Sequence, residues 1–308
     1  MGGDRFGVRW GLAGGVALAS IDEVREIARW GDEAGFDSLW ISHAAAVDPI
    51  VALAAVASEF TSMREVGTSV VPLYGRHPFG LAQQVMTAQS ALGGRFTLGV
   101  GPSHRPSVEG TLGLSWDHPY AYTEEFLDGL QPLLAGKPAN VEGTQVTTRA
   151  EVAIDAPDTP VLLAALGPRM LGLAGRRTQG TTVGQCGPKT IASHIVPTVH
   201  AAAEAMGRPE PRVMALIRLC VTDDIGPAYA QAQQVGAPYG VLPSYAAMLA
   251  KEGLTDAADL HLIGSWERVL DGLGEYAAAG VTDLRIEVVA PDLATRDTTR
   301  AAFASYLS

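Results

Sequence analysis

The chain has 308 residues, enough to bury a sizeable core, and a barrel of this length is often a single domain, here spanning 1–308. Its 22 Lys and Arg stand against 33 Asp and Glu, a formal charge of −11, which argues against a nucleic-acid or anionic-membrane partner and obliges any anionic ligand to find a local positive patch. Cys186 and Cys220 form no spaced metal motif and are too few for a disulfide framework, so no metal site is expected and the usage suits a reducing cytoplasm.

The opening MGGDRFGVRWGLAGG has arginines among its apolar residues, so no signal peptide is expected. No segment approaches the ~18 to 20 uninterrupted apolar residues of a membrane span. From there the chain alternates strand and helix. Phe6 to Leu12 reads as the first strand, Ile21 to Ala34 as a helix ended by Gly35, Ser38 to Ile41 as the second strand and Pro49 to Phe60 as a helix. Val66 to Val71 is short and β-branched, Pro78 can open a helix, Ala82 to Leu92 is rich in helix formers, and Gly93-Gly94 ends it. Phe96 to Val100 is apolar throughout, as a parallel strand covered on both faces should be.

After His104 the rhythm breaks into a polar stretch with Pro and Trp, then resumes with a helix over Tyr120 to Leu134 and a hairpin-like excursion over 137–158. Further strands are expected at Val161 to Leu166, Thr181 to Gly184, Val213 to Val221 and Asp283 to Val289. Eight strands separated by helices predict an α/β fold of the (β/α)8 TIM-barrel type rather than an open doubly wound sheet. No Gly-x-Gly-x-x-Gly follows the first strand, which lowers the dinucleotide-binding alternative further.

Polar residues gather where such a barrel does its chemistry. Thr68, Ser69, Arg76, His77, Gly101, Ser103 and His104 fall at or just beyond C-terminal strand ends. Ala165-Leu-Gly-Pro-Arg169 and Cys186-Gly-Pro-Lys189 each follow a strand and open a helix with Gly, Pro and a cation. Free amides, the helix dipole and a nearby positive charge make an anion site, and two such ends side by side could hold one phosphate; equally, Gly-Pro can simply stop a strand and start a helix. His43 and His104 are the acid/base candidates, because imidazole exchanges a proton around neutral pH, although a mouth-loop histidine can also serve only as a hydrogen-bonding group. Arg76-His77 suits capping or ion pairing at least as well as ligand contact. Trp116, Tyr120 and Tyr122 could line a pocket or pack a loop, and His194 and His200, six apart, do not share a helix face as a metal pair would.

Five blocks carry a family likeness: GFDSLWISH (35–43), GTSVVPLYGRHP (67–78), GGRFTLGVGPSH (93–104), PVLLAALGPRMLGLAG (160–175) and GVTDLRI (280–286). In order and spacing the chain resembles the luciferase-like flavin or deazaflavin oxidoreductases, and within them the coenzyme F420-dependent branch. The resemblance implies a barrel with an inserted segment covering the pocket, usually dimeric; residues 226–263, including Tyr239 to Tyr245, are the candidate insertion. It places the cofactor ring against the ends of the second, third and fourth strands, near Gly101, with a non-proline cis peptide joining Ser69 to Val70 behind the ring. It maps the cofactor phosphate to Gly167, Pro168 and Arg169 and to the Gly187-Pro188 turn.

His43 matches a position where relatives carry His, but Ser42 stands where an Asp often precedes it, which weakens a sugar-dehydrogenase reading. His104 stands where such dehydrogenases carry a carboxylate. The leading expectation is hydride transfer between deazaflavin C5 and a small organic substrate, with His43 or His104 handling the proton. The alternatives are an FMN-dependent two-component monooxygenase and a non-catalytic flavin-binding protein.

Overall fold

The computed structural model describes residues 6–308 and carries twelve strands: β1 Arg9–Ala13, β2 Ser38–Ile41, β3 Glu65–Thr68, β4 Val71–Pro72, β5 Phe96–Gly101, β6 Ala139–Glu142, β7 Thr147–Ala150, β8 Val161–Ala164, β9 Gly180–Val183, β10 Arg212–Val221, β11 Leu262–Gly264 and β12 Asp283–Val288. Eight of them, β1, β2, β3, β5, β8, β9, β10 and β12, pair in parallel in that order, and β12 on β1 closes the ring. The chain is a (β/α)8 TIM barrel.

Several details depart from the expected elements; the helix expected over Pro49 to Phe60 ends at Ala55 and is followed by a separate 3-10 turn, Ala57–Glu59. The third strand does not run unbroken to Val71: it divides into β3 and β4 around the Ser69–Val70 peptide, and only the β4 part pairs with the end of β5. The stretch after His104 contains a π-helical turn, Pro106–Thr111. The short β11 adds to the end of β10, and its three residues are too few to have announced themselves by period. The 137–158 excursion contains the antiparallel hairpin β6–β7.

Local chemistry sets the helix starts. Ser20, Asp48, Ser265 and Asp292 each accept a backbone N–H of the first helical turn through a side-chain oxygen, and His77 does so through Nδ1. Outward-facing strand residues such as Leu12, Leu39, Phe96, Leu284 and Ile286 join helix residues such as Leu53, Val85, Phe126 and Phe303 in one continuous buried layer. That layer lies between sheet and helices.

The barrel interior is a different environment. Trp40, Leu162 and Met214 form a separate buried cluster, and the Trp40 indole donates to Ser38 Oγ at 2.9 Å. Gly67 is what admits the indole, because a Cβ there would lie 2.5 Å from Trp40 and 2.4 Å from the Thr97 carbonyl. Towards the N-terminal strand ends, Arg212 bridges Glu65 at 2.7 Å and Asp283 at 2.7 Å, with Arg9 adding a 2.8 Å pair to Asp283. Strand period two then carries the charges upward: Asp283, Arg285 and Glu287 on β12 share one face, as do Arg212, Leu216 and Arg218 on β10.

Candidate active site

A cavity of about 690 Å3 opens at the C-terminal ends of the strands. Its wall takes Ser42 and His43 after β2, Ser69 and Val70 between β3 and β4, and Gly101 to His104 at the end of β5. Ala164 to Gly167 follow β8, Thr182 to Gln185 come from the end of β9, and Arg218, Arg285 and Glu287 project from β10 and β12. Tyr239, Leu242 and Tyr245 close one side from the 226–263 segment, which folds mainly as helices Ile225–Gly240 and Pro243–Glu252. Ser103 and Gln185, both on this wall, have φ of 72° and 56°, a left-handed backbone uncommon for residues with a Cβ and concentrated at functional sites.

The Ser69–Val70 peptide is cis, as the family likeness implies. Its surroundings are dense with polar contacts. The Ser69 carbonyl accepts from Ser42 Oγ at 2.7 Å and from Arg285 Nη1 at 2.7 Å, while Ser69 Oγ lies 3.0 Å from Thr182 Oγ1. The Val70 carbonyl accepts the His43 backbone N–H at 3.2 Å. Behind it, Gly99 has no room for a side chain: a Cβ would sit 2.0 Å from the Thr68 carbonyl oxygen. A Cβ on Gly101 would meet Val70 Cγ2 and Ala164 Cβ at 3.1 Å, so Gly101 lets the Val70 side chain pack against β8.

His43 and His104 face the same cavity. Burial pushes His104 below the ordinary imidazole range, and burial followed by the Arg76 charge does the same to His43. Both are therefore neutral at neutral pH and able to accept a proton. The His104 ring lies 5.3 Å from that of Tyr245, which meets Tyr239 edge-on at 5.4 Å. Arg218 Nη2 donates to the Tyr239 hydroxyl at 3.2 Å, and Arg218 Nε pairs with Glu287 at 2.7 Å. This chain of contacts ties helices Ile225–Gly240 and Pro243–Glu252 to the barrel wall.

The two Gly-Pro helix starts differ. Gly167 stands on the cavity wall, opens helix Pro168–Arg177 without a side-chain cap, and has nothing within 4 Å of where a Cβ would be. Pro168 and Arg169 follow it but are not on the cavity wall; Arg169 lies 4.4 Å over the Tyr120 ring, whose hydroxyl accepts from Arg176 at 3.0 Å. The Gly187-Pro188 start is filled from within. Glu252, ending helix Pro243–Glu252, accepts from Lys189 N at 3.1 Å, Thr190 N at 2.7 Å and Thr190 Oγ1 at 2.6 Å. Gly187 is buried, and neither it nor Pro188 reaches the cavity. The amides expected to receive a phosphate there already hold a carboxylate, so of the two starts only Gly167 is open to a ligand.

Other candidates resolve into structural parts. Arg76 pairs with Asp48 at 2.8 Å, and His77 caps its helix while its Nε2 lies 2.9 Å from the Thr147 carbonyl. Tyr122 stacks on Tyr74 with centroids 4.0 Å apart, whereas Trp116 does line the cavity. His194 binds the Leu166 carbonyl at 2.8 Å. The sequence reading missed Arg218, Arg285 and Glu287. The signal was present, since DLRIEV alternates charged and apolar residues, as an interior barrel strand with a polar lumen should.

A family model described as luciferase-like monooxygenase matches residues 8–283. The chain belongs to the luciferase-like monooxygenase family. Among curated relatives of this luciferase-like protein, a 5,10-methylenetetrahydromethanopterin reductase of Methanolobus tindarius is 27% identical over 256 residues, 82% of this chain and 78% of the relative. An F420-dependent glucose-6-phosphate dehydrogenase of Beutenbergia cavernae is 33% identical over 230 residues, 68% of this chain and 66% of the relative. Among solved structures, the coenzyme F420-dependent tetrahydromethanopterin reductase of Methanopyrus kandleri superposes with a TM-score of 0.80 at 22% identity, covering 97% of this luciferase-like chain and 96% of its own. An F420-dependent secondary alcohol dehydrogenase superposes with a TM-score of 0.82 at 17% identity, covering 97% and 99%; both likenesses are to the fold.

Proposed function

We propose that this protein is a coenzyme F420-dependent oxidoreductase that exchanges a hydride between the deazaflavin and a small organic substrate. The observation that carries the reading is the meeting, in one cavity, of the Ser69–Val70 wall, two neutral histidines and one open helix start at Gly167. The likeness to the F420-dependent glucose-6-phosphate dehydrogenase of Beutenbergia cavernae supports the deazaflavin over FMN.

The residues present fit such a group. The uncapped amides at Gly167, with no side chain to displace, would receive a phosphate. Ser69, Val70 and Gly101 would form the face against the ring. When bound, the deazaflavin supplies a carbon that gives or takes a hydride. The protein's own part is orientation and proton management. His43 and His104, held neutral by burial, are suited to take a proton from a substrate hydroxyl or amine as it is oxidised; the reverse direction needs the imidazolium first.

An anaerobic assay following F420 absorbance tests this with alcohol and amine donors and, with F420H2, with activated C=C, C=N and C=O acceptors. Turnover is expected with at least one class, and His43→Gln or His104→Gln should lower the rate about 100-fold or more. Oxygen-dependent turnover with reduced FMN and none with F420 would instead establish the two-component monooxygenase reading. Tight cofactor binding without turnover in any class would favour the non-catalytic one.

A further inference from the structure

Among the described residues, four formally charged side chains line the cavity: Arg105, Arg218, Arg285 and Glu287. Arg105 is exposed and paired with Glu109. Deeper in, Arg218 and Glu287 neutralise one another at 2.7 Å. That leaves Arg285. Its side chain is buried, and among the described residues no carboxylate lies within ion-pair distance of it; Glu287, engaged by Arg218, acts on it only from farther away. Nη1 donates to the Ser69 carbonyl, but Nε is buried with no hydrogen-bond partner. His43 and His104, the other titratable groups on the wall besides the tyrosines, carry no negative charge in either protonation state.

A buried guanidinium with an unused donor and no carboxylate in direct contact is costly unless something else supplies an anion. Burial has already lowered its pKa, to about 10, so it remains charged at neutral pH. We propose that the inner end of the cavity is an anion-receiving site built on Arg285, which takes a negatively charged group of the bound ligand. Two sources share that chemistry: the ring of a reduced deazaflavin, which carries negative charge once it has lost a proton, and a carboxylate on the organic substrate. The first rests on the function proposed above; the second does not.

Arg285→Gln removes the charge but leaves a donor for the Ser69 carbonyl, whereas Arg285→Lys keeps the charge. A role confined to holding that carbonyl would not separate them in this way. In one arm, wild type and both variants are titrated anaerobically with oxidised F420 and with F420H2. If the ring is the anion, wild type binds F420H2 at least about tenfold more tightly than the oxidised form, the Gln variant loses the preference and the Lys variant retains part of it.

In the other arm, short 2-oxo carboxylates and their methyl esters are compared by thermal shift on the same proteins. If the substrate is the anion, the acids but not the esters stabilise wild type, and the Gln variant loses the effect. Should the Gln variant fail to fold, Arg285→Lys carries the test against wild type, because it keeps the charge on a shorter side chain and should weaken, without abolishing, the anion preference. Failure of oxidised F420 to bind wild type would overturn the cofactor reading alone, since the carboxylate arm still reads Arg285. Equal behaviour of wild type and variants in both arms would overturn the site.

Discussion

Arg285 Nη1 donates to the Ser69 carbonyl oxygen at 2.7 Å across the lumen, joining β12 to the peptide that follows β3. Ser42 Oγ, at the end of β2, reaches the same oxygen. One carbonyl therefore ties the adjacent strands β2 and β3 to β12, which lies beyond β1, behind the cavity wall. The polar interior is both the scaffold of the site and part of its electrostatics.

At the other end of the barrel, Arg212 has 16% of its side-chain area exposed, and its partners Glu65 and Asp283 have 14% and 2%. Arg212→Met leaves two buried carboxylates poorly compensated and should destabilise the fold by about 3 to 5 kcal/mol. Arg9 contacts the same carboxylates but is 44% exposed, so Arg9→Met should cost under about 1 kcal/mol. Denaturant unfolding of the two variants measures the difference, and equal losses would show that burial does not set the strength of this network.

Gly187 exists to admit Glu252, since a Cβ there would lie 2.3 Å from the Glu252 carboxyl carbon. Gly187→Ala should destabilise by about 1 to 3 kcal/mol through overpacking. In a Glu252→Ala background the same change should cost under about 1 kcal/mol, because the clash is gone. A double-mutant cycle gives the coupling directly; additive losses would mean that the two side chains do not compete for this space.

His261 is buried, neither ring nitrogen has a hydrogen-bond partner, and burial lowers its pKa to about 4, with the Arg218 charge adding to the effect. As pH falls below the ordinary 6.5, the unfolded chain takes up this proton before the folded one does, so stability is lost between about 6.5 and 4. The full contribution is roughly 3 kcal/mol. Unfolding of His261→Phe across that window should show a shallower acid dependence than wild type. Identical slopes would place the acid sensitivity elsewhere.

Much of the fold was legible because parallel strands and their helices leave strong local marks. Phe96 to Val100 read as a buried strand and became β5; Pro78 and Pro168 opened helices where their fixed φ and missing N–H predict. The break between β3 and β4 was not legible from Val66 to Val71, whose residue types suit one continuous strand; the family likeness alone pointed to it. At the site, His43, His104, Ser69, Val70, Gly101 and Gly167 share the cavity because each follows or ends a barrel strand. The plugging of Gly187 depends on Glu252, more than sixty residues away, and no local pattern records that contact. Arg285 needed the lumen side of β12 to be known before its missing counter-ion had meaning.

On the function proposed above, this cavity binds a deazaflavin through the open start at Gly167. Equilibrium titration of the purified apo-protein with oxidised F420 and, separately, FMN, repeated on Gly167→Asp, tests it most directly. Wild type is expected to bind F420 tightly and FMN much more weakly, and the carboxylate placed at that helix start should cost at least about tenfold in F420 affinity. Selective binding of FMN, or F420 binding indifferent to Gly167→Asp, would contradict it.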